Sequence, residues 1–135
     1  MLRFAGYFPW SWLFYILPMK KYEKLLAWQR ARELVLVVYR STASWPADER
    51  YGLTSQLRRA AVSVAANIAE GSAKQGPREF RRFLDIAIGS LAEIGCLLTL
   101  ARDLELLSEN MWTELDRKRD SAAALTWLLF NSLSR

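Results

Sequence analysis

The stretch PREFRRFLDIAIGSLAEIGCLLTLA, residues 77–101, carries the cleanest periodicity in the chain. Its apolar residues Phe80, Leu84, Ala87, Leu91, Ile94, Leu98 and Ala101 alternate spacings of four and three throughout. That alternation keeps them on one side of a helix and forms the seam of a rod packed lengthwise on its neighbours. Pro77 suits the first helical position, and Glu79 suits the positive end of the helix dipole.

Working outward, the same periodicity predicts three more helices. Leu25, Trp28, Ala31, Val35, Val38 and Thr42 form one apolar stripe on a first helix, which the segment SWPADE, residues 44–49, interrupts. Pro46, with Asp48 and Glu49 just after it, opens a second helix there unless Gly52 and Thr54 mark a restart at Thr54. This second helix turns Leu53, Leu57, Ala60, Val64 and Ile68 inward, and Gly71 is a natural stop. Ser108 is an N-cap for a fourth helix, with Met111, Leu115, Ala122, Leu125 and Leu129 inside. Short connections make sequential helices antiparallel. The expected fold is therefore all-α, an up-down-up-down four-helix bundle spanning residues 19–135.

The composition fits one globular domain: 135 residues, 52% hydrophobic and 24% charged, with only 6 Gly and 4 Pro to make turns. The chain has no His and one Cys, Cys96. No disulfide framework or zinc site is available, and His-dependent acid–base or triad chemistry is excluded. Di-iron bundles need Glu-x-x-His ligands and are excluded too. No glycine-rich phosphate loop is present. The expectation is a protein without metal, cofactor or enzymatic activity.

Residues 1–18, MLRFAGYFPWSWLFYILP, differ from the rest, holding seven of the 17 aromatic residues and one charge, Arg3. The apolar run from Phe4 to Leu17 falls short of the roughly 20 residues of a membrane span. It also lacks the small-residue cleavage site of a signal peptide. Two readings stand: a natural start at Met19, which is favoured, or a short anchor at a membrane surface. The expected location is the cytoplasm, without a membrane partner.

In a solitary bundle each helix shows water about half its surface and is charged there. No residue from Ala60 to Ala69 is charged, and from Ile86 to Ala101 the only charge is Glu93. Val62, Ala65, Ala66 and Ala69 lie outside the inward stripe, while Gly89, Ser90, Ala92 and Gly95 would let another helix approach closely. The two middle helices thus each carry a second, small and apolar face; the simplest cover for it is another copy of the chain, the alternatives being a tolerant Ala-rich surface or cover from residues 1–18. Arg59, Ser63 and Glu70 line one stripe of that face, with Asn67 beside them. A turn near residue 74 sets Arg59 opposite Gly89 and within a turn of Glu93, so an Arg59–Glu93 pair, buried at or near the interface, is expected.

The runs ERYGLTSQLRRAAVSVAANIAEG (49–71) and EFRRFLDIAIGSLAE (79–93), with KKYEKLLAWQRARELV before them, carry a family pattern. The chain resembles the four-helix-bundle family encoded in 23S rRNA intervening sequences, over about residues 19–130. That likeness extends to the accessory variability proteins of diversity-generating retroelements. One departure is Ala65, where a Pro is common. The resemblance implies a bundle that assembles into a ring, commonly a pentamer, with no known enzymatic activity. For the retroelement relatives it implies a basic particle that binds nucleic acid and a reverse transcriptase. The motif positions carried over are Arg59, Asn67, Glu70, Gly71, Phe80, Ser90 and Glu93, each read first as packing or capping.

The topology also sorts charge along the bundle. One end gathers Lys20, Lys21, Lys24, Lys74, Arg78, Arg81, Arg82 and Arg135 against Glu23, Glu70 and Glu79. The other holds Arg40, Arg50 and Arg102 against Asp48, Glu49, Asp103, Glu105, Glu109 and Glu114. A ring of parallel protomers would multiply the first end into a basic collar for RNA or DNA phosphates. Arg117, Lys118 and Arg119 form a second cluster, more simply read as a solvated face beside Asp116 and Asp120. No groove-entering fold or exposed aromatic platform is discernible, so backbone-directed binding is expected. The competing expectation is a protein–protein adaptor, in particular an accessory subunit of a reverse transcriptase.

Overall fold

The computed structural model describes residues 21–133; the expectations for residues 1–18, Lys20 and Arg135 lie outside them. A 3-10 turn at Lys21–Lys24 leads into helix α1 (Leu26–Thr42), and a second such turn at Ala47–Glu49 precedes α2 (Leu53–Ser72). Helices α3 (Pro77–Asp103) and α4 (Glu109–Ser132) complete the chain, with no strand among the described residues. α1 packs on α2 and α4, and α3 packs on the same two, which is the expected up-down-up-down bundle.

The ends of the rods follow from local chemistry. α3 begins with Pro77 after Gly76, whose φ of 84° is one that L side chains rarely adopt. The Ser108 hydroxyl accepts from the Met111 N–H at 3.2 Å and caps α4. α2 restarts at Leu53 rather than at Pro46, because the Glu49 carboxylate accepts the Leu53 N–H at 3.1 Å and caps the new helix from the preceding turn.

The core runs along the bundle axis. Leu34, Leu57, Ile68, Leu84, Leu91, Ile94, Leu98 and Leu115 are fully buried. Each such side chain contributes about 1.5–3 kcal/mol by leaving water. Ala31, Ala61, Ala87, Ala101 and Ala122 are fully buried between them and let the helices approach closely.

Three features differ from the sequence reading. Leu53 on α2 and Met111, Leu125 and Leu129 on α4, expected inside, are half-buried at the edge of the core. On α1 the buried stripe is Ala27, Ala31, Leu34, Val38 and Thr42, whereas Leu25, Trp28 and Val35 are half-buried at its flank. Gly71 does not stop α2, which continues to Ser72. A Cβ at Gly71 would sit 2.7 Å from the Phe83 Cβ and 2.9 Å from the Phe80 ring. Close packing of α3 on α2, not a left-handed cap, is what requires glycine there.

Candidate nucleic-acid interface

The α2–α3 seam carries the polar motif residues. Ser63 and Ser90 hydroxyls meet across it at 3.0 Å. The Asn67 amide donates to the Ser63 carbonyl at 2.8 Å and to its hydroxyl at 3.0 Å. This network fixes the register of the two helices and places Arg59 level with Glu93 and Ile94 rather than with Gly89. The expected Arg59–Glu93 pair does not form within the chain: Arg59 donates to the Gln56 side chain at 2.9 Å, and Arg59, Glu70 and Glu93 are all exposed. Both charges stay solvated, and an exposed pair across the seam would add little over Gln56 one turn away.

Between these exposed charges the two helices present apolar surface to water. Val62 and Ile86 are 42% and 43% exposed, Leu100 45%, and Ala66, Gly89, Ala92 and Cys96 are exposed beside them. The most apolar 18 residues of α3 have a mean hydropathy of 1.8, yet only 39% of them are buried inside the bundle. By length and composition this helix could cross a membrane; here it packs on α2 and α4 with much of its apolar surface uncovered.

The basic residues divide by what holds them. Lys21, Lys24, Lys74 and Arg78 are exposed at the end where α1 and α3 begin and α2 stops. The Lys74 ammonium sits 5.3 Å from the centre of the Phe83 ring. Arg82 pairs with Glu79 one turn earlier at 3.2 Å, both well exposed, and lies over the Phe83 ring. Arg81 is different. Its Nη1 donates to the Phe130 carbonyl at 2.7 Å and the Leu133 carbonyl at 2.9 Å, and its guanidinium stacks 3.9 Å above the Phe130 ring. It adds a charged donor to carbonyls at the end of α4, where among the described residues the Phe130 carbonyl otherwise accepts only a long bond of 3.4 Å from the Leu133 N–H, so its first task is to clamp α4 to α3.

The α4 cluster separates in the same way. Arg119 pairs with Asp116 at 2.8 Å and Asp120 at 2.7 Å, and only 19% of its side chain is exposed. It lies across Gly95 of α3, where a Cβ would come within 3.2 Å of its Nε. Arg117 is exposed and Lys118 half-buried, both midway along α4 and away from the basic end. One further cluster, which the sequence did not single out, lies between the end of α1 and the start of α2: Tyr39, Arg50, Tyr51, Arg58 and Arg59 line an open cleft.

Comparison with known proteins agrees with this architecture. The sequence profile described as "23S rRNA-intervening sequence protein" matches residues 23–126. A crystal structure of a protein of unknown function, from the S23 ribosomal protein family of Bacteroides thetaiotaomicron, superposes with a TM-score of 0.72 at 18% identity. The match covers 78% of this chain and 96% of that one, and at this identity it bears on the fold alone. No curated protein matches the sequence. With the profile spanning most of the bundle and the motif residues seated on the α2–α3 seam, the chain belongs to the family of 23S rRNA-intervening sequence proteins.

Proposed function

We propose that this protein is a non-enzymatic, cytoplasmic homo-oligomer that associates with RNA or DNA through phosphate contacts at the end where α3 begins. The observation that carries this reading is the placement of cations at the start of α3. Arg78 sits in its first turn, where the helix dipole disfavours positive charge by about 0.3–1 kcal/mol, and Arg81 and Arg82 follow in the second turn. Arg81 is compensated by the α4 carbonyls and Arg82 by Glu79, whereas Arg78 faces water with Lys74, Lys21 and Lys24 nearby. A bound polyanion supplies the missing compensation. The exposed apolar surface of α2 and α3 supports assembly into a ring, commonly a pentamer in relatives, and a ring would gather these cations into a collar.

The test is binding of labelled RNA and DNA across a salt series, comparing the parent with a Lys74→Gln/Arg78→Gln/Arg82→Gln variant. The parent should lose affinity steeply with salt, by about 0.7–0.9 in log–log slope for each phosphate neutralised. The variant should bind more weakly with a shallower slope. Equal affinity of the two proteins contradicts the reading. Absence of binding by the parent shifts the weight to a protein adaptor, with a reverse transcriptase as its partner.

A further inference from the structure

The cleft between the end of α1 and the start of α2 has a chemistry distinct from the basic end. It encloses about 460 Å³, within the usual range of small-ligand clefts, roughly 300–1,000 Å³. Three arginines line it (Arg50, Arg58 and Arg59) along with Tyr39 and Tyr51, and no carboxylate lies among its lining residues.

The arginines and tyrosines are arranged as stacked pairs. The Arg58 guanidinium lies 4.6 Å from the centre of the Tyr39 ring. Its Nε donates to the Thr42 hydroxyl at 2.9 Å, and its Nη2 reaches the Tyr39 carbonyl at 3.4 Å. Thr42 in turn donates to the Val38 carbonyl at 2.8 Å, so its oxygen is fixed as the acceptor for Arg58. This guanidinium is pre-oriented with Nη1 uncommitted. On the other side, Arg50 stands 5.7 Å from the Tyr51 ring centre, and Tyr51 is 87% exposed. Tyr51 adds nothing to the core. Holding an aromatic face in water beside converging like charges has no return for folding.

Charge along the chain obscures this corner. That end of the bundle sums to acidic because Asp103, Glu105, Glu109 and Glu114 belong to the α3–α4 half. The α1–α2 corner instead holds Arg40, Arg50, Arg58 and Arg59 against Asp48 and Glu49, one of which is occupied in capping Leu53.

We propose that this cleft binds a nucleotide unit of a single-stranded nucleic acid, with the base stacked on Tyr51 and the phosphate held by Arg58 and Arg59. Aromatic faces interleaved with guanidinium groups suit an unpaired base, since every base has a π-face and a duplex hides it. This inference rests on the nucleic-acid reading above and adds a second site that selects strandedness, which phosphate contacts at the basic end do not.

The experiment compares the full chain with Tyr51→Ala, Tyr51→Trp and Arg50→Gln variants. The probes are labelled single-stranded and duplex oligonucleotides of one length, about 12 nucleotides, within the site size of small single-strand binders. Tyr51→Ala should weaken single-strand binding roughly 5- to 100-fold and leave duplex binding unchanged. Tyr51→Trp should bind single strands at least as well as the parent, and Arg50→Gln should fall between. Single-strand affinity unaltered by Tyr51→Ala, or an equal loss for duplex, overturns the inference. If the Lys74→Gln/Arg78→Gln/Arg82→Gln variant loses binding and Tyr51→Ala does not, the cleft fails while the basic end stands. The reverse pattern upholds the cleft and rejects the basic end. A parent that binds neither probe overturns both.

Discussion

Replacing Arg81 by Met separates a structural clamp from a phosphate ligand. Met keeps an apolar stem against Phe130 but removes the charge and both donors. The parent makes bonds of 2.7 and 2.9 Å to the Phe130 and Leu133 carbonyls and a stack at 3.9 Å. Hydrogen bonds from a charged group contribute about 1.5–3 kcal/mol each when well sheltered. Arg81 is half-buried, and the freed carbonyls at the end of α4 regain water, so about 1 kcal/mol per bond is the better figure. The stack adds about 0.5–1 kcal/mol. The expected loss is therefore about 2–3 kcal/mol, or a fall of roughly 1 M in the urea midpoint at fixed protein concentration. Hydrogen exchange should quicken first in the last turns of α4. Because its guanidinium is seated on the end of α4 through Nη1 and the Phe130 ring, Arg81→Met should change the salt slope of nucleic-acid binding less than Arg78→Gln does. A stability within about 0.5 kcal/mol of the parent, the range of ordinary surface substitutions, would refute the clamp.

Three further outcomes follow from the packing. Gly71→Ala places a Cβ 2.7 Å from the Phe83 Cβ. Overpacking of about 1–3 kcal/mol should exceed the gain in helix propensity of about 1 kcal/mol, and a stabilised variant in a denaturant titration would contradict the close approach. Ser63→Ala removes the hydroxyl shared with Ser90 and Asn67 and should cost about 1 kcal/mol; a double-mutant cycle with Ser90→Ala should show coupling, and strict additivity would argue against the network. Ile86→Glu alters a residue already 43% exposed and should leave the fold of one chain intact while weakening assembly at least about tenfold by sedimentation velocity; unchanged assembly would move the interface elsewhere.

The helices were legible in the sequence wherever apolar and polar residues alternate with one phase. α3 is the clearest case, since every residue of its predicted seam except the half-buried Phe80 is buried. On α1 the periodicity finds Ala31, Val38 and Thr42 but falls one position off at Trp28 and Val35, because Leu34–Tyr39, LVLVVY, is apolar all round and admits a second stripe. Packing against α2 and α4 selects the one through Leu34 and Val38. Gly71 shows a different limit: its lack of a side chain was plain, but the reason lies in Phe80 and Phe83 on the next helix.

The candidate site divides the same way. Periodicity puts Ser63 and Asn67 on one middle helix and Ser90 on the next, but their contact was not legible, because a turn near residue 74 implies a different register from the one that joins Ser63 to Ser90. The roles of Arg81 and Arg119 were hidden, since a basic residue on a helix surface does not reveal which carbonyl or carboxylate it meets. The Tyr39–Tyr51 cleft joins residues across a chain reversal. Its one sequence signal was the repeated neighbouring of tyrosine and arginine, at Tyr39-Arg40 and Arg50-Tyr51.

The oligomeric state proposed for this protein requires the exposed apolar residues of α2 and α3 to be covered by other copies of the chain. Sedimentation equilibrium of the intact protein at micromolar concentration measures this directly. The expected mass is a multiple of 15.6 kDa, unchanged on moderate dilution. A helical, cooperatively folded species at 15.6 kDa, with Val62, Ile86 and Leu100 open to solvent, would contradict it.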